Sequence, residues 1–286
     1  MKRLTFTIVL FLLIVFTYSC DENTSKNNDL KKTETLTVPE ENTTKTNETI
    51  PNNDLTKMGF YGDIETIVET EYKLSTKFGE DFIDGIKSKT ITKFNNDGNK
   101  IEENRYGSDW ELEKKDKYTY DEKGNVIDGT VYDSNGEFSL KMKMNYDEKG
   151  NMIEHNSYLP DGKLFMSLTY TYDENGNEIE QNTYVFYEWF EWKDKRKNTY
   201  DENGDRIERN CYDSNGNLCE KYTYTYDENC NMIEEYKYGS DGVLEKKDKY
   251  TYDEKGNMIE KRSYEVKVNN VLEEPISLIK YEITYR

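Results

Sequence analysis

One string dominates the second half of this chain. Tyr120-Asp-Glu-Lys-Gly-Asn-Val-Ile127 returns at 146–153, 172–179, 200–207, 226–233 and 252–259, after a worn first copy, Phe94-Asn-Asn-Asp-Gly-Asn-Lys-Ile101. The interval is 26 residues throughout except for a single 28 between Tyr172 and Tyr200. A shorter echo falls 12 residues into a unit, at Tyr132-Asp-Ser-Asn-Gly136, Tyr158-Leu-Pro-Asp-Gly162, Tyr212-Asp-Ser-Asn-Gly216 and Tyr238-Gly-Ser-Asp-Gly242. The chain must therefore turn about every 12 to 14 residues, which leaves about eight residues, or roughly 27 Å, of strand between turns.

The turn chemistry is that of tight hairpins. In Tyr212-Asp213-Ser214-Asn215-Gly216-Asn217-Leu218 the Asp213 carboxylate is placed to bond backbone ahead of it, and Gly216 to take the positive φ that closes a type I turn, which sets Tyr212 opposite Leu218. Carried outward, the alternation puts Leu164, Met166, Leu168, Tyr170 and Tyr172 on one face and Phe165, Ser167, Thr169 and Thr171 on the other. That is period two, the signature of half-buried strands. The fold class expected is all-β: an elongated antiparallel β-meander of 26-residue repeats, two strands per repeat, with some 14 to 17 strands over 58–286. Composition bears on what such a sheet buries. Hydrophobic and charged residues each make up 34% and mean hydropathy is -1.04, which alone would indicate disorder, but 25 Tyr, 11 Phe and 3 Trp supply amphipathic rings instead. The tyrosine face needs shelter, by curling, by wetting of the hydroxyls or by pairing with a second molecule, and the residues do not choose among these.

Tyr-Asp-x-x-Gly-Asn at regular intervals resembles the YD repeat of the RHS family, over about residues 94–264. The resemblance implies a strand-rich scaffold of a bacterial envelope or surface protein. The family's large shell, toxin module and self-cleaving protease segment have no counterpart here. Trp110 and Cys230 stand where the repeat has its turn Gly, and those two turns are expected to bend differently.

The beginning of the chain reads as an address. Lys2 and Arg3 precede an apolar run from Leu4 to Tyr18 that ends at Ser19-Cys20, the plan of a signal peptide over 1–19. Thr17-Tyr18-Ser19-Cys20 is similar to the lipobox of bacterial lipoproteins, with Thr in place of the usual Leu, which implies that Cys20 is acylated and membrane contact is through that anchor. Residues 20–57 are then a tether of Asn, Thr, Lys, Glu and Asp with little to bury, with a reach of roughly 35 Å. The localisation expected is the bacterial cell envelope, at the outer membrane and exposed at the surface.

Charge narrows the function. Against 39 basic residues stand 58 acidic ones, a net charge of -19, so nucleic acid is not an expected partner. A single His and no nucleophile constellation point away from an enzyme: no catalytic residues, no cofactor and no metal site are assigned. The acids Asp128, Glu154, Glu180, Glu208, Glu234 and Glu260 are expected on the tyrosine face, as acceptors for phenol hydroxyls rather than as a calcium or sugar ladder. His155 is expected on the polar face in water.

Two features stand out as candidate sites. The 28-residue unit carries Tyr184-Val-Phe-Tyr-Glu-Trp-Phe-Glu-Trp192 where a Gly turn belongs, concentrating Tyr184, Phe186, Tyr187, Trp189, Phe190 and Trp192. These rings either shelter the sheet or form an exposed platform for a glycan or a protein. Cys211 and Cys219 come out as direct cross-strand partners and thus as a possible disulfide, with Cys230 left in a turn. The function expected is a non-enzymatic envelope lipoprotein that binds glycan or protein. The alternative is a structural or immunity-like partner that adds strands to an open sheet edge or makes repeat-face contacts.

Overall fold

The structure is a computed structural model that describes residues 53–187, 190–267 and 272–286. The expected signal peptide, Cys20 and most of the expected tether lie outside the described residues. A one-turn helix, α1 (Asp54–Lys57), precedes β1 (Ile64–Lys77), β2 (Glu80–Phe94), β3 (Lys100–Tyr106), β4 (Leu112–Tyr120), β5 (Val126–Asp133), β6 (Phe138–Tyr146), β7 (Met152–Tyr158) and β8 (Leu164–Tyr172). The chain continues through β9 (Glu178–Tyr187), β10 (Phe190–Tyr200), β11 (Arg206–Tyr212), β12 (Leu218–Tyr226), β13 (Met232–Gly239), β14 (Leu244–Tyr252), β15 (Met258–Lys267) and β16 (Leu272–Tyr285). Each strand pairs antiparallel with its neighbours in sequence, as a meander should. The sheet is not elongated, however. β1 also pairs with β16, from Ile64 opposite Tyr285 to Lys73 opposite Ser277, and the sixteen strands form a closed barrel.

Closure has a local cause. The turns form as the residues predict: Asp213 N donates to Asn217 O at 2.9 Å, Gly216 N donates to Asp213 O at 3.0 Å, and Asp213 Oδ1 accepts from the amides of Asn215 and Asn217. Tyr212 does face Leu218, but the register then slips by one, so that Cys211 faces Glu220 and Cys219 is left over. Such a bulge recurs beside nearly every turn; at the other end of a repeat, Tyr226 faces Met232, Thr225 faces Glu234, and Ile233 is left over. A bulge bends its strand and adds right-handed twist. Repeated hairpin after hairpin, it coils the sheet until its first and last strands meet. The turns at Trp110 and Cys230 do not bend differently. Both residues adopt the positive φ of the glycines they replace, 68° and 61°, and make the same 3.1 Å turn bond, from Trp110 N to Gly107 O and from Cys230 N to Asp227 O.

The bulges also reassign faces. Inward on β8 and β9 lie Met166, Leu168 and Tyr170 opposite Val185, Thr183 and Gln181. Met166, Leu168, Tyr170 and Val185 join Val131, Leu140 and Met142 in the larger apolar cluster. The acids expected among the tyrosines are on the outer wall, because each hairpin moves them one position out of step. There Glu180 pairs with Lys195 at 3.0 Å, Glu234 with Lys247 at 3.1 Å and Asp128 with Lys141 at 3.5 Å, while Glu234 also accepts the Tyr236 hydroxyl, the phenol bond expected of these acids. His155, expected in water, is inward instead, opposite Met144 and Leu168, and buried. The outer wall thus carries lysines, acids and threonines, with Tyr132, Tyr158, Tyr212 and Tyr236 set opposite lysines among them.

One rim gathers the Tyr-Asp-x-x-Gly-Asn turns, and the repeat tyrosines brace it. Tyr146, Tyr172, Tyr226 and Tyr252 donate their hydroxyls to the carbonyls of Val126, Met152, Arg206 and Met232, one repeat back, at 3.0, 2.7, 2.7 and 2.7 Å. Tyr200, across the longer unit, reaches Glu178 O at 2.8 Å. Residues 53–63 bridge this turn rim where the repeat sequence runs out. Leu55 N donates to Gly98 O, Tyr61 N donates to Asn257 Oδ1 at 2.6 Å, and Leu55 and Phe60 pack on Ile64, Ile67 and Phe94. Arg286, the last residue, reaches the Asp63 carboxylate and the carbonyls of Phe94 and Asn95.

Candidate functional site

The chain enters the barrel at the turn rim, and the opposite rim, here the far rim, carries the short-echo turns and the irregular hairpins. The sequence-predicted aromatic segment forms one of these hairpins. β9 and β10 pair without a slip from Tyr187 opposite Phe190 down to Glu180 opposite Lys197, past the ends of β8 and β11. A hairpin without a bulge stays straight and projects. Tyr184 and Phe186 lie on its outer side, half-buried, with Lys193 Nζ 5.0 Å from the centre of the Tyr184 ring. Trp192 is opposite Val185 on the other side and 37% exposed. Tyr187 and Phe190 form the last backbone pair; their side chains, and Trp189 altogether, lie outside the described features.

Two further aromatics belong to this end; the sequence marked Trp110 only as a departure from the turn Gly and did not mark Phe78. Phe78 and Gly79 form the two-residue tip of the β1–β2 hairpin, both at positive φ, 55° and 83°. This is a turn that ordinarily takes Asn-Gly. The β1–β2 arm is bent by register slips around Tyr72 and by Gly85, and leans over the outer wall at β15 and β16, where Asp81 meets Arg262 at 3.5 Å. Phe78 at its tip is 105% exposed. Trp110, in the β3–β4 turn, is 52% exposed, its ring approached by Lys89 Nζ at 4.9 Å. Each places a large aromatic in a left-handed conformation that costs a non-glycine residue about 1–2 kcal/mol; Phe78 recovers none of that through burial, whereas Trp110 is about half covered. The legible signals were the Phe-Gly dipeptide at a hairpin tip and a Trp at a turn-glycine position.

The cysteines do not form the expected pair. Cys211 is half-buried and inward, facing Arg196 and Glu220; Cys219 is the bulge residue, exposed on the opposite side; neither is in a disulfide among the described residues, nor is Cys230. The slip beside the turn, invisible to a register drawn straight out from Tyr212 and Leu218, separates them. Burial pushes the Cys211 thiol up, with partial relief from Arg196 and Arg209. Among the described residues no group of three or more His, Cys, Asp or Glu side chains is placed to hold a metal ion.

Comparison with protein families and with curated proteins returns no match. Among solved structures the chain is similar to a porin-like protein from Bacteroides uniformis, at 12% identity and a TM-score of 0.37 over 77% of this chain and 96% of that one. It is similar to a LolA superfamily protein from Nitrosomonas europaea, at 8% identity and a TM-score of 0.30 over 79% and 88%. It also resembles part of the Photorhabdus luminescens Tc holotoxin pore, at 13% identity and a TM-score of 0.20, over 66% of this chain and only 14% of that one. Similarities of this size fix neither a fold family nor an activity.

Proposed function

We propose that this protein is a non-enzymatic, envelope-tethered binding module whose far end, studded with aromatic rings, engages a glycan or a protein outside the cell. The observation that carries this reading is the exposure of Phe78 and Trp110 at positive φ: Phe78, with no burial, does nothing for the fold that glycine would not do better, and Trp110 leaves half of its surface to solvent. Trp192 and the hairpin around it add a third aromatic element at the same end. Ring faces of this kind stack on sugar rings or seat in a protein partner.

The remaining parts fit such a module. Cys20, as a lipid anchor, and the tether ahead of Asn53 would join the barrel at the turn rim, leaving the far rim turned away from the membrane. The YD-type repeats act as scaffold, in keeping with their resemblance to RHS proteins. The strand-addition form of an immunity-like role loses its support, because the closed barrel leaves no free edge among the described strands.

The test exploits the strain. Phe78→Gly should leave thermal stability unchanged or higher; it and Trp110→Gly should each lower binding to glycan arrays and to intact cells at least tenfold, and Trp192→Ala should weaken binding in the same assays. Full binding by the Phe78→Gly/Trp110→Gly double variant would retire the reading.

A further inference from the structure

The chain has one histidine and eight methionines, and the fold brings three of those methionines around the histidine. His155 faces inward on β7, directly opposite Met144 on β6 and Leu168 on β8. Two residues further on, Ser157 faces Met142 on one side and Met166 on the other. Side chains directly opposite on adjacent strands stand about 5 Å apart at Cβ and diagonal ones about 7–8 Å, so all three methionines lie within reach of the imidazole. His155, Met142 and Met166 are buried; Met144 is half-buried and packs against the same apolar cluster. Packing alone does not call for this set. In four other hairpins the place of Met144 holds a tyrosine, Tyr118 opposite Gly129, Tyr170 opposite Gln181, Tyr224 opposite Glu235 and Tyr250 opposite Lys261. Tyr170 belongs to this very cluster, so a tyrosine would serve the core here too. Methionine in the tyrosine place and the one histidine occur together, directly across the strand pair from each other.

The donors are soft and uncharged. Thioether sulfur selects Cu(I) among biological cations, and imidazole accepts it as well, whereas calcium and magnesium need oxygen ligands and zinc sites are built from thiolate, carboxylate or several imidazoles. The methionine side chain is unbranched and flexible, so each sulfur can turn toward a common point without a backbone shift. The cluster contains no carboxylate. Asp116 on β4 and Asp194 on β10 stand at its two margins, opposite Val131 and Thr183, and Asp116 is paired with Lys114 at 2.7 Å. A single positive charge surrounded by coordinating atoms can be buried in such a place; a double charge without a carboxylate is far costlier. The thiols are elsewhere, Cys211 and Cys219 on β11 and β12 and Cys230 in a turn, so the sulfur here is thioether only.

We propose that His155, Met142, Met144 and Met166 form an inner-wall site for a soft monovalent cation, Cu(I), held by one imidazole nitrogen and by thioether sulfurs. Met144, the half-buried member, is where the ion enters. The site is separate from the aromatic far end and does not depend on it.

Ag(I), with the charge and softness of Cu(I) but no redox step in water, is the probe. It is added to the full chain carrying Cys20→Ser, Cys211→Ser, Cys219→Ser and Cys230→Ser, so that thiols do not compete, with the methionine methyl groups labelled with carbon-13. The methyl resonances of Met142, Met144 and Met166 are expected to shift together and to saturate at one Ag(I) per chain, while those of Met58, Met232 and Met258, away from the site, stay in place. Zn(II) should move none of them. Met144→Tyr, which restores the residue of the matching strands, and Met166→Leu should each weaken Ag(I) binding at least tenfold by isothermal titration, and unmoved Met58 and Met258 resonances report that the variants are folded. His155→Leu should weaken it to the same degree. Absence of a shift in the three methyl groups, equal shifts at Met58, Met232 and Met258, a matching response to Zn(II), or an affinity unchanged in both Met144→Tyr and Met166→Leu would overturn the site.

Discussion

Asn53 stands against Gly98 in the place that later repeats give to an asparagine of the repeat before. A methyl group added at Gly98 would meet the Asn53 amide at 2.3 Å; added at Gly124 or Gly176 it would face Asn99 or Asn151 at 3.5 and 3.7 Å. At the other end of the series Asn257, fully buried, has no further repeat to serve. It accepts from Tyr61 N and donates to Tyr61 O at 3.3 Å and to the Tyr285 hydroxyl at 3.0 Å. The segment before β1 thus stands in for a missing repeat and joins the ends of the turn ring.

That closure should be measurable. Asn257→Ala removes bonds to three partners and leaves a backbone N–H of Tyr61 unsatisfied, at a cost of about 2–3 kcal/mol. Asn231→Ala loses an amide whose side chain serves its own turn through Asp227 at 3.0 Å, at a cost of about 1 kcal/mol. Urea unfolding of the two variants separates them, and equal losses would show that the segment adds nothing to closure.

The tyrosine brace predicts a second pair of values. Tyr172→Phe deletes the 2.7 Å bond to Met152 O and should destabilise by about 1–2 kcal/mol. Tyr158→Phe, on the outer wall, should fall within about 0.5 kcal/mol of the parent. Denaturant midpoints for both variants provide the check.

His155 makes the barrel sensitive to mild acid. Burial holds its imidazole down to about 4 from an ordinary 6.5. Between those values the unfolded chain binds a proton that the folded chain refuses, so stability is complete above pH 6.5, declines as pH falls toward 4, and levels off below. The span corresponds to roughly 3 kcal/mol. His155→Leu, which suits the Met144 and Leu168 opposite it, should remove that part of the slope in unfolding experiments from pH 8 to pH 4. An unchanged slope would assign the acid sensitivity elsewhere.

Asp116 and Asp248 should respond oppositely to loss of charge. Lys261 and Lys246 outweigh the burial of Asp248 and hold its carboxyl below the usual range, so its contribution is present above pH 3.8 and lost as pH falls through the lower folded value. Burial, aided by Glu103, raises Asp116 in spite of Lys114; its contribution is present below pH 3.8 and lost as pH rises through the higher folded value. Asp248→Asn leaves two lysines without a countercharge and should cost about 3 kcal/mol at pH 7, whereas Asp116→Asn should cost no more than about 1 kcal/mol. Thermal melts at pH 7 distinguish the two, and a larger loss at Asp116 would contradict the assignment.

These last two residues show where local reading stops. β4 and β14 share the sequence Leu-Glu-Lys-Lys-Asp-Lys-Tyr-Thr-Tyr and alternate between buried and exposed in the same way. Strand, turn and antiparallel order were legible because each depends on a few consecutive residues: an Asp and a Gly for the turn, and period-two alternation for the strand. The opposite charge behaviour of Asp116 and Asp248 was not, because a glutamate lies across the sheet from each, Glu103 or Glu235, and the difference comes from the other neighbour, Val131 beside Asp116 but Ser263 with Lys261 beside Asp248. The aromatic hairpin stood out as an interruption of the repeat. The exposure of Phe78 and Trp110 did not, since exposure is a property of what fails to pack nearby. The inner face of His155, the separation of Cys211 from Cys219 and the meeting of β1 with β16 all followed from one-residue slips summed around the ring. A slip is a small local event that leaves little mark on the amino-acid pattern. It reverses every side chain beyond it, and only the closed circuit of strands sets where all those reversals end.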